Sequence, residues 1–174
     1  MKRFIVALVA VGSAVFGFTP TADAVGYGAC ALAGTISFAP ESPAKGTWTI
    51  GPANLDCQGI IGKRARIIGQ GPFRGSGTYR ALLPGDAACL RQTGTGTVEY
   101  EIPTASGTIK VSEAATHTLA GAGVIDTPSL HGMFQLPPPY DGDCLTKPVS
   151  RATFVAQLVL YRNPRQFPPG APGA

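Results

Sequence analysis

Gly96-Thr97-Val98-Glu99-Tyr100-Glu101-Ile102, then Pro103-Thr104-Ala105-Ser106, then Gly107-Thr108-Ile109-Lys110-Val111-Ser112: this stretch decides the fold. Val98, Tyr100 and Ile102 share one face of an extended chain, and Thr97, Glu99 and Glu101 share the other. Ile109 and Val111 likewise oppose Thr108, Lys110 and Ser112. Period-two alternation on both sides of a short polar link reads as a β-hairpin with one buried face.

The same pattern recurs along the chain. A glycine followed by threonine opens an alternating segment at Gly34-Thr35-Ile36-Ser37-Phe38, Gly46-Thr47-Trp48-Thr49-Ile50 and Gly77-Thr78-Tyr79, as it does at Gly96 and Gly107. Glycine permits the positive φ that turns need, and threonine suits the pleated strand behind it, so these steps read as turn punctuation. Their spacings are irregular, which excludes a structural repeat. Further strands are expected around 66–69, 117–120, 123–126, 130–136 and 153–161. The last, rich in Phe154, Val155, Leu158, Val159 and Leu160, reads as a central strand buried on both faces. No capped helical stripe is present. The expected fold is an all-β antiparallel sandwich or barrel of about eight to ten strands.

The chain of 174 residues begins with Lys2 and Arg3, an uncharged apolar run from Phe4 to Phe18, and Ala22-Asp23-Ala24. This is the pattern of a secretory signal peptide cleaved after Ala24. The run is shorter than the roughly 20 residues of a spanning helix. The expected organisation is a leader at 1–24, one β domain at 25–161 and a Pro/Gly-rich tail at 162–174. No membrane anchor is expected in the mature chain. Without Lys2, Arg3 and Asp23 the formal charge falls from +4 to +3, a modest value that speaks to solubility.

All four cysteines, Cys30, Cys57, Cys89 and Cys144, lie beyond the leader. In an exported chain they read as two disulfides. Three pairings are open. Nearest-in-order bonds, Cys30–Cys57 and Cys89–Cys144, suit neighbouring strands and loops. With no C-x-x-C or H-x-x-x-H step, zinc is not expected.

The residues that could carry chemistry have simpler readings. His117 and His131 have no serine or thiol nucleophile nearby in sequence, and each reads as a strand histidine facing solvent or a hydrogen-bond partner. Glu99 and Glu101, two apart on one strand, stand side by side and do not bracket a substrate as glycosidase acids do. Asp141-Gly142-Asp143 offers too few oxygens for calcium and reads as a turn. Lys63-Arg64-Ala65-Arg66, with Arg74 and Arg80, forms the most basic region. No aromatic-interleaved nucleic-acid motif accompanies it.

With the spacing Cys30…Cys57…Cys89…Cys144, the Gly-Thr strand starts and the segment His131-Gly132-Met133-Phe134, the chain resembles small exported β-rich proteins of actinobacteria. That resemblance implies a β-barrel or sandwich with two disulfides and carries no functional residue across. The function expected from the sequence is a secreted, non-catalytic β domain. It would bind or coat an extracellular ligand or surface, outside the cell or on its wall, with no cofactor, metal or nucleic acid. Loops 40–45 and 137–143 are the expected contact regions. Two alternatives stand beside it: a small hydrolase using Glu99 or Glu101, and a protease inhibitor presenting Cys89-Leu90-Arg91 or the proline-rich loop.

Overall fold

The computed structural model describes residues 28–61, 65–83, 88, 91–142, 144 and 147–161. The expected leader and tail lie outside them. Among the described residues nine strands form: β1 (Gly28–Ser42), β2 (Lys45–Ile61), β3 (Ala65–Arg66), β4 (Gly69–Ala81), β5 (Arg91–Thr104), β6 (Gly107–Ala120), β7 (Ala122–Asp126), β8 (Leu130–Gln135) and β9 (Arg151–Leu160). Eight pair antiparallel in chain order, and β1 pairs with both β2 and β9, closing an up-and-down barrel. The two-residue β3 adds to the end of β2. Closure is incomplete along β6: β7 pairs it only from Thr116 to Ala120, so Gly107–Ala115 has a strand partner on the β5 side alone.

Side-chain alternation sets which face turns inward. On β9, Ala152, Phe154, Ala156, Leu158 and Leu160 are buried while Arg151, Thr153, Val155, Gln157 and Val159 are exposed. The two-faced burial expected of this strand is therefore wrong. Its outward valines belong to a small apolar strip with Val124 and Met133. On β5 and β6 the outer face is polar, with Thr95, Thr97, Glu99 and Glu101 on β5 and Thr108, Lys110 and Ser112 on β6. A lipid-facing barrel needs the reverse alternation.

The hairpin expected at 96–112 forms, with β5 pairing β6 from Glu99↔Ser112 to Thr104↔Gly107. Cys30 and Cys57 face each other across β1 and β2 and are bonded. Both sulfurs point into the core, at 5% and 3% exposure. Closing 27 residues of chain, this bond stabilises the fold by about 3 kcal/mol through the unfolded state. Cys144 is also disulfide-bonded. Cys89, its expected partner, lies outside the described residues.

The Gly-Thr steps have a different physical basis from the one the sequence suggested. Of the five glycines, only Gly107 has a positive φ, at 117°. Gly34, Gly77 and Gly96 lie within strands. A Cβ on Gly77 or Gly96 would stand 2.8 or 2.5 Å from Trp48 Cζ2. These glycines clear room for an indole from another strand. Glycine and proline also shape β2 at Gly51-Pro52, where one extra residue between Ile50 and Ala53 makes a bulge against β4. Pro52, which has no N–H, suits such a break in the ladder.

Candidate functional site

The barrel has two dissimilar ends. At one, the turn between β7 and β8 folds inward and is held by a buried carboxylate. Glu113, at 8% exposure, follows Ile109 and Val111 on the inner face of β6. Its Oε1 accepts hydrogen bonds from Tyr100 Oη at 2.8 Å and Thr127 Oγ1 at 2.6 Å, and its Oε2 accepts one from Ser129 Oγ at 2.9 Å. Thr127 Oγ1 in turn accepts from the Leu130 N–H at 2.8 Å. Burial, and next the neighbouring Glu113 charge, push the Tyr100 phenol far above its ordinary range. Each carboxylate oxygen has a donor, so the group is a latch that seats the turn.

At the other end, beside the β1–β2 turn and the 136–150 connection, lies an internal cavity of about 40 Å³. One water needs roughly 10–15 Å³, so the space holds a few non-hydrogen atoms. Its walls are apolar: Phe38, Trp48, Phe134 and Phe154 around it, with Leu32 and Ile36 among its aliphatic residues. The inward polar side chains are Gln92 of β5 and His117 of β6. They are diagonal neighbours, since Gln92 pairs with Leu119 and His117 with Gly94.

Glycine makes this arrangement possible. A Cβ on Gly94 would lie 2.3 Å from His117 Cε1, and one on Gly123 would lie 2.2 Å from Phe134 Cζ. Each ring therefore lies over the glycine opposite it. His117 stands edge-on to Trp48, with centroids 5.6 Å apart, and to Phe134 at 6.3 Å. Trp48 is anchored by its Nε1–H, which donates to the Thr78 carbonyl at 3.2 Å. Burial pulls the His117 pKa down from 6.5 to about 4, so the ring is neutral at physiological pH. Of the two positions expected of His117, facing solvent or facing a hydrogen-bond partner, the first is corrected: it is an inward residue.

Gln92 is 2% exposed, and its Oε1 has no hydrogen-bond partner among the described residues. It is the one buried side-chain polar atom there in that condition. An amide oxygen desolvated without a donor is unfavourable by about 1–3 kcal/mol.

The carboxylates singled out by sequence lie on the outer wall. Glu99 accepts from Arg74 at 2.6 Å and Glu101 pairs with Lys110 at 3.0 Å, both cross-strand partners in register. They line an exterior groove beside the β2 bulge, and the two cations there balance them. His131 is exposed and 3.2 Å from Asp126 Oδ1. Asp141 accepts from the Ser150 hydroxyl and from the Ser150 and Arg151 N–H groups at 2.8 Å, ordering the strand entry to β9. These bonds, the Ser150 hydroxyl foremost, hold its carboxyl below the usual carboxylate range. Asp143, Lys63 and Arg64 lie outside the described residues, and Arg66 is exposed. Among the described residues no three His, Cys, Asp or Glu side chains gather as a metal site.

Sequence reasoning missed Gln92 and Glu113 as inward polar groups, although the signal was present. Counting by twos from Ile109 and Val111 reaches Glu113, Ala115 and His117. Counting back from Val98 reaches Gly96, Gly94 and Gln92. Compared with protein-family models, curated proteins and solved structures, the chain has no match.

Proposed function

We propose that this chain is an exported, non-catalytic binding barrel that takes a small apolar ligand into the cavity between Gln92, His117 and Trp48. One observation carries the reading: an apolar cavity at one end of a closed barrel contains a buried polar atom that the protein itself leaves unpartnered. Native interiors satisfy nearly all such atoms, and the Glu113 latch in this same barrel is fully satisfied. An eight-stranded barrel is of the size that is either filled by its side chains or holds one small ligand. The interior disulfide is compatible with work in an oxidising compartment, outside the cell or at its wall.

The hydrolase alternative has no support from the two glutamates, each engaged by a cross-strand cation. The inhibitor alternative turns on Cys89-Leu90-Arg91, of which Cys89 and Leu90 lie outside the described residues, and on the proline-rich loop, whose Tyr140 is exposed.

Thermal unfolding in the presence of small apolar alcohols, hydrocarbons, glycans and wall polymers tests the proposal. A ligand at 100 times its dissociation constant stabilises the native state by about 2.7 kcal/mol. A shift of a few degrees with small apolar compounds, and none with glycans or polymers, is the expected result. The opposite pattern contradicts it.

A further inference from the structure

Resting on that reading, we infer that the ligand is a small neutral alcohol or phenol, with its hydroxyl against Gln92 Oε1 and its apolar body deeper in the barrel. An amide oxygen buried to 2% exposure without a partner calls for a hydrogen-bond donor, which a hydrocarbon cannot supply.

Charge selects among the donors and polar heads that remain. The cavity lining contains no Lys, Arg, Asp or Glu. An ammonium group would enter without a carboxylate to balance it, and a carboxylate without a cation, and burying either charge unpaired is strongly unfavourable. An ionised carboxylate also has no proton to give the amide oxygen. A hydroxyl is neutral and both donates and accepts. It therefore meets the Gln92 amide by either of its faces, and the neutral imidazole of His117, diagonal to Gln92, is placed to take the second bond.

Position and size set the rest. Gln92 is the second residue of β5, at the rim end of the cavity, whereas Leu32, Ile50 and Ala156 line it further along the strands. The polar head belongs at the rim and the apolar body among those side chains. At about 40 Å³ the space as it stands holds a few non-hydrogen atoms, so a whole phenol ring enters only as the lining side chains shift to enlarge it.

Phenol and toluene are matched probes, alike in shape and differing by a hydroxyl for a methyl. Their affinities for the oxidised protein are measured by calorimetry, beside those for Gln92→Leu, which keeps the bulk of the side chain. Because one neutral hydrogen bond is worth about a factor of ten, the phenol-to-toluene affinity ratio is expected to fall about tenfold in the variant. On the unaltered protein both rings shift the NMR resonances of the Gln92 side-chain amide by their ring current, and phenol is expected to shift them further, because only its hydroxyl donates to the amide oxygen. That measurement does not depend on the variant folding. If both compounds bind but the ratio is unchanged and the amide resonances respond to both alike, the hydroxyl assignment is overturned while the binding reading stands. If neither binds at millimolar concentration, the binding reading itself fails.

Discussion

The two ends of the barrel handle a buried polar side chain in opposite ways. At the latch end Glu113 receives three hydroxyl donors, from Tyr100, Thr127 and Ser129. At the cavity end Gln92 Oε1 receives none. Both residues sit on the inner face of adjacent strands and both are under one-tenth exposed. The difference separates two uses of interior polarity. A saturated group fixes one conformation of the chain, and an unsaturated one is, on the function proposed above, left to bond a ligand.

The largest effect is expected where saturation is broken. Glu113→Ala strips the acceptor from three buried hydroxyls at once, leaving them desolvated beside a new void. Chemical denaturation should show a loss of about 3–5 kcal/mol. A loss below 1 kcal/mol would mean the β7–β8 turn does not depend on its latch.

Next comes the glycine bay beneath Trp48. Gly96→Ala places a methyl 2.5 Å from Trp48 Cζ2 and 2.2 Å from the Ser76 carbonyl oxygen, contacts that require the strands to move. Overpacking of this kind destabilises by about 1–3 kcal/mol. Gly51→Ala, at the outer bulge with nothing within 4 Å, is the matched control and should fall within about 0.5 kcal/mol of the parent. Equal effects at the two sites would contradict the bay.

A pH series sharpens the comparison from the cavity side. His117 has its pKa lowered from 6.5 to about 4 in the folded chain. Between those values the unfolded chain holds a proton that the folded chain lacks, so stability falls as pH drops through this window. The His117 share is about 2 kcal/mol, after allowance for a ring that is not wholly enclosed. It appears as the difference between the parent and His117→Phe, whose pH dependence should be flatter over the same range. Parallel curves would place the imidazole in contact with solvent.

Gln92→Leu should have the smallest effect, and one of opposite sign. Replacing an unpartnered buried amide with an apolar group of like size is expected to stabilise the empty protein by about 1 kcal/mol. Destabilisation would show that Gln92 is part of the fold's own hydrogen bonding.

Much of this fold was legible because its signal is local. The alternation at 96–102 and 107–112 names two strands and their turn without reference to anything distant. Closure is not local: it depends on β1 meeting both β2 and β9, so sandwich and barrel read alike in the sequence. The glycines failed for the same reason. Gly77 and Gly96 look like turn residues until Trp48, nearly 30 and 50 positions earlier, is seen to occupy the space above them. The candidate site was the least legible part. Glu99 and Glu101 drew attention because carboxylates suggest chemistry, yet their phase opposite Val98, Tyr100 and Ile102 already turned them outward. The inward phase reaching Gln92, Glu113 and His117 passes through glycine and alanine, residues too small to announce a buried face.

Trp48 is the only tryptophan in the chain and lines the cavity, so its emission reports occupancy of that site directly. The decisive measurement is a titration of the oxidised protein with phenol, exciting the indole beyond the absorption of the ligand. A saturable change in Trp48 emission, with a midpoint matching the calorimetric affinity, is the predicted result. Binding with Trp48 emission unchanged, or no binding at millimolar phenol, would contradict the assignment of the cavity as the binding site.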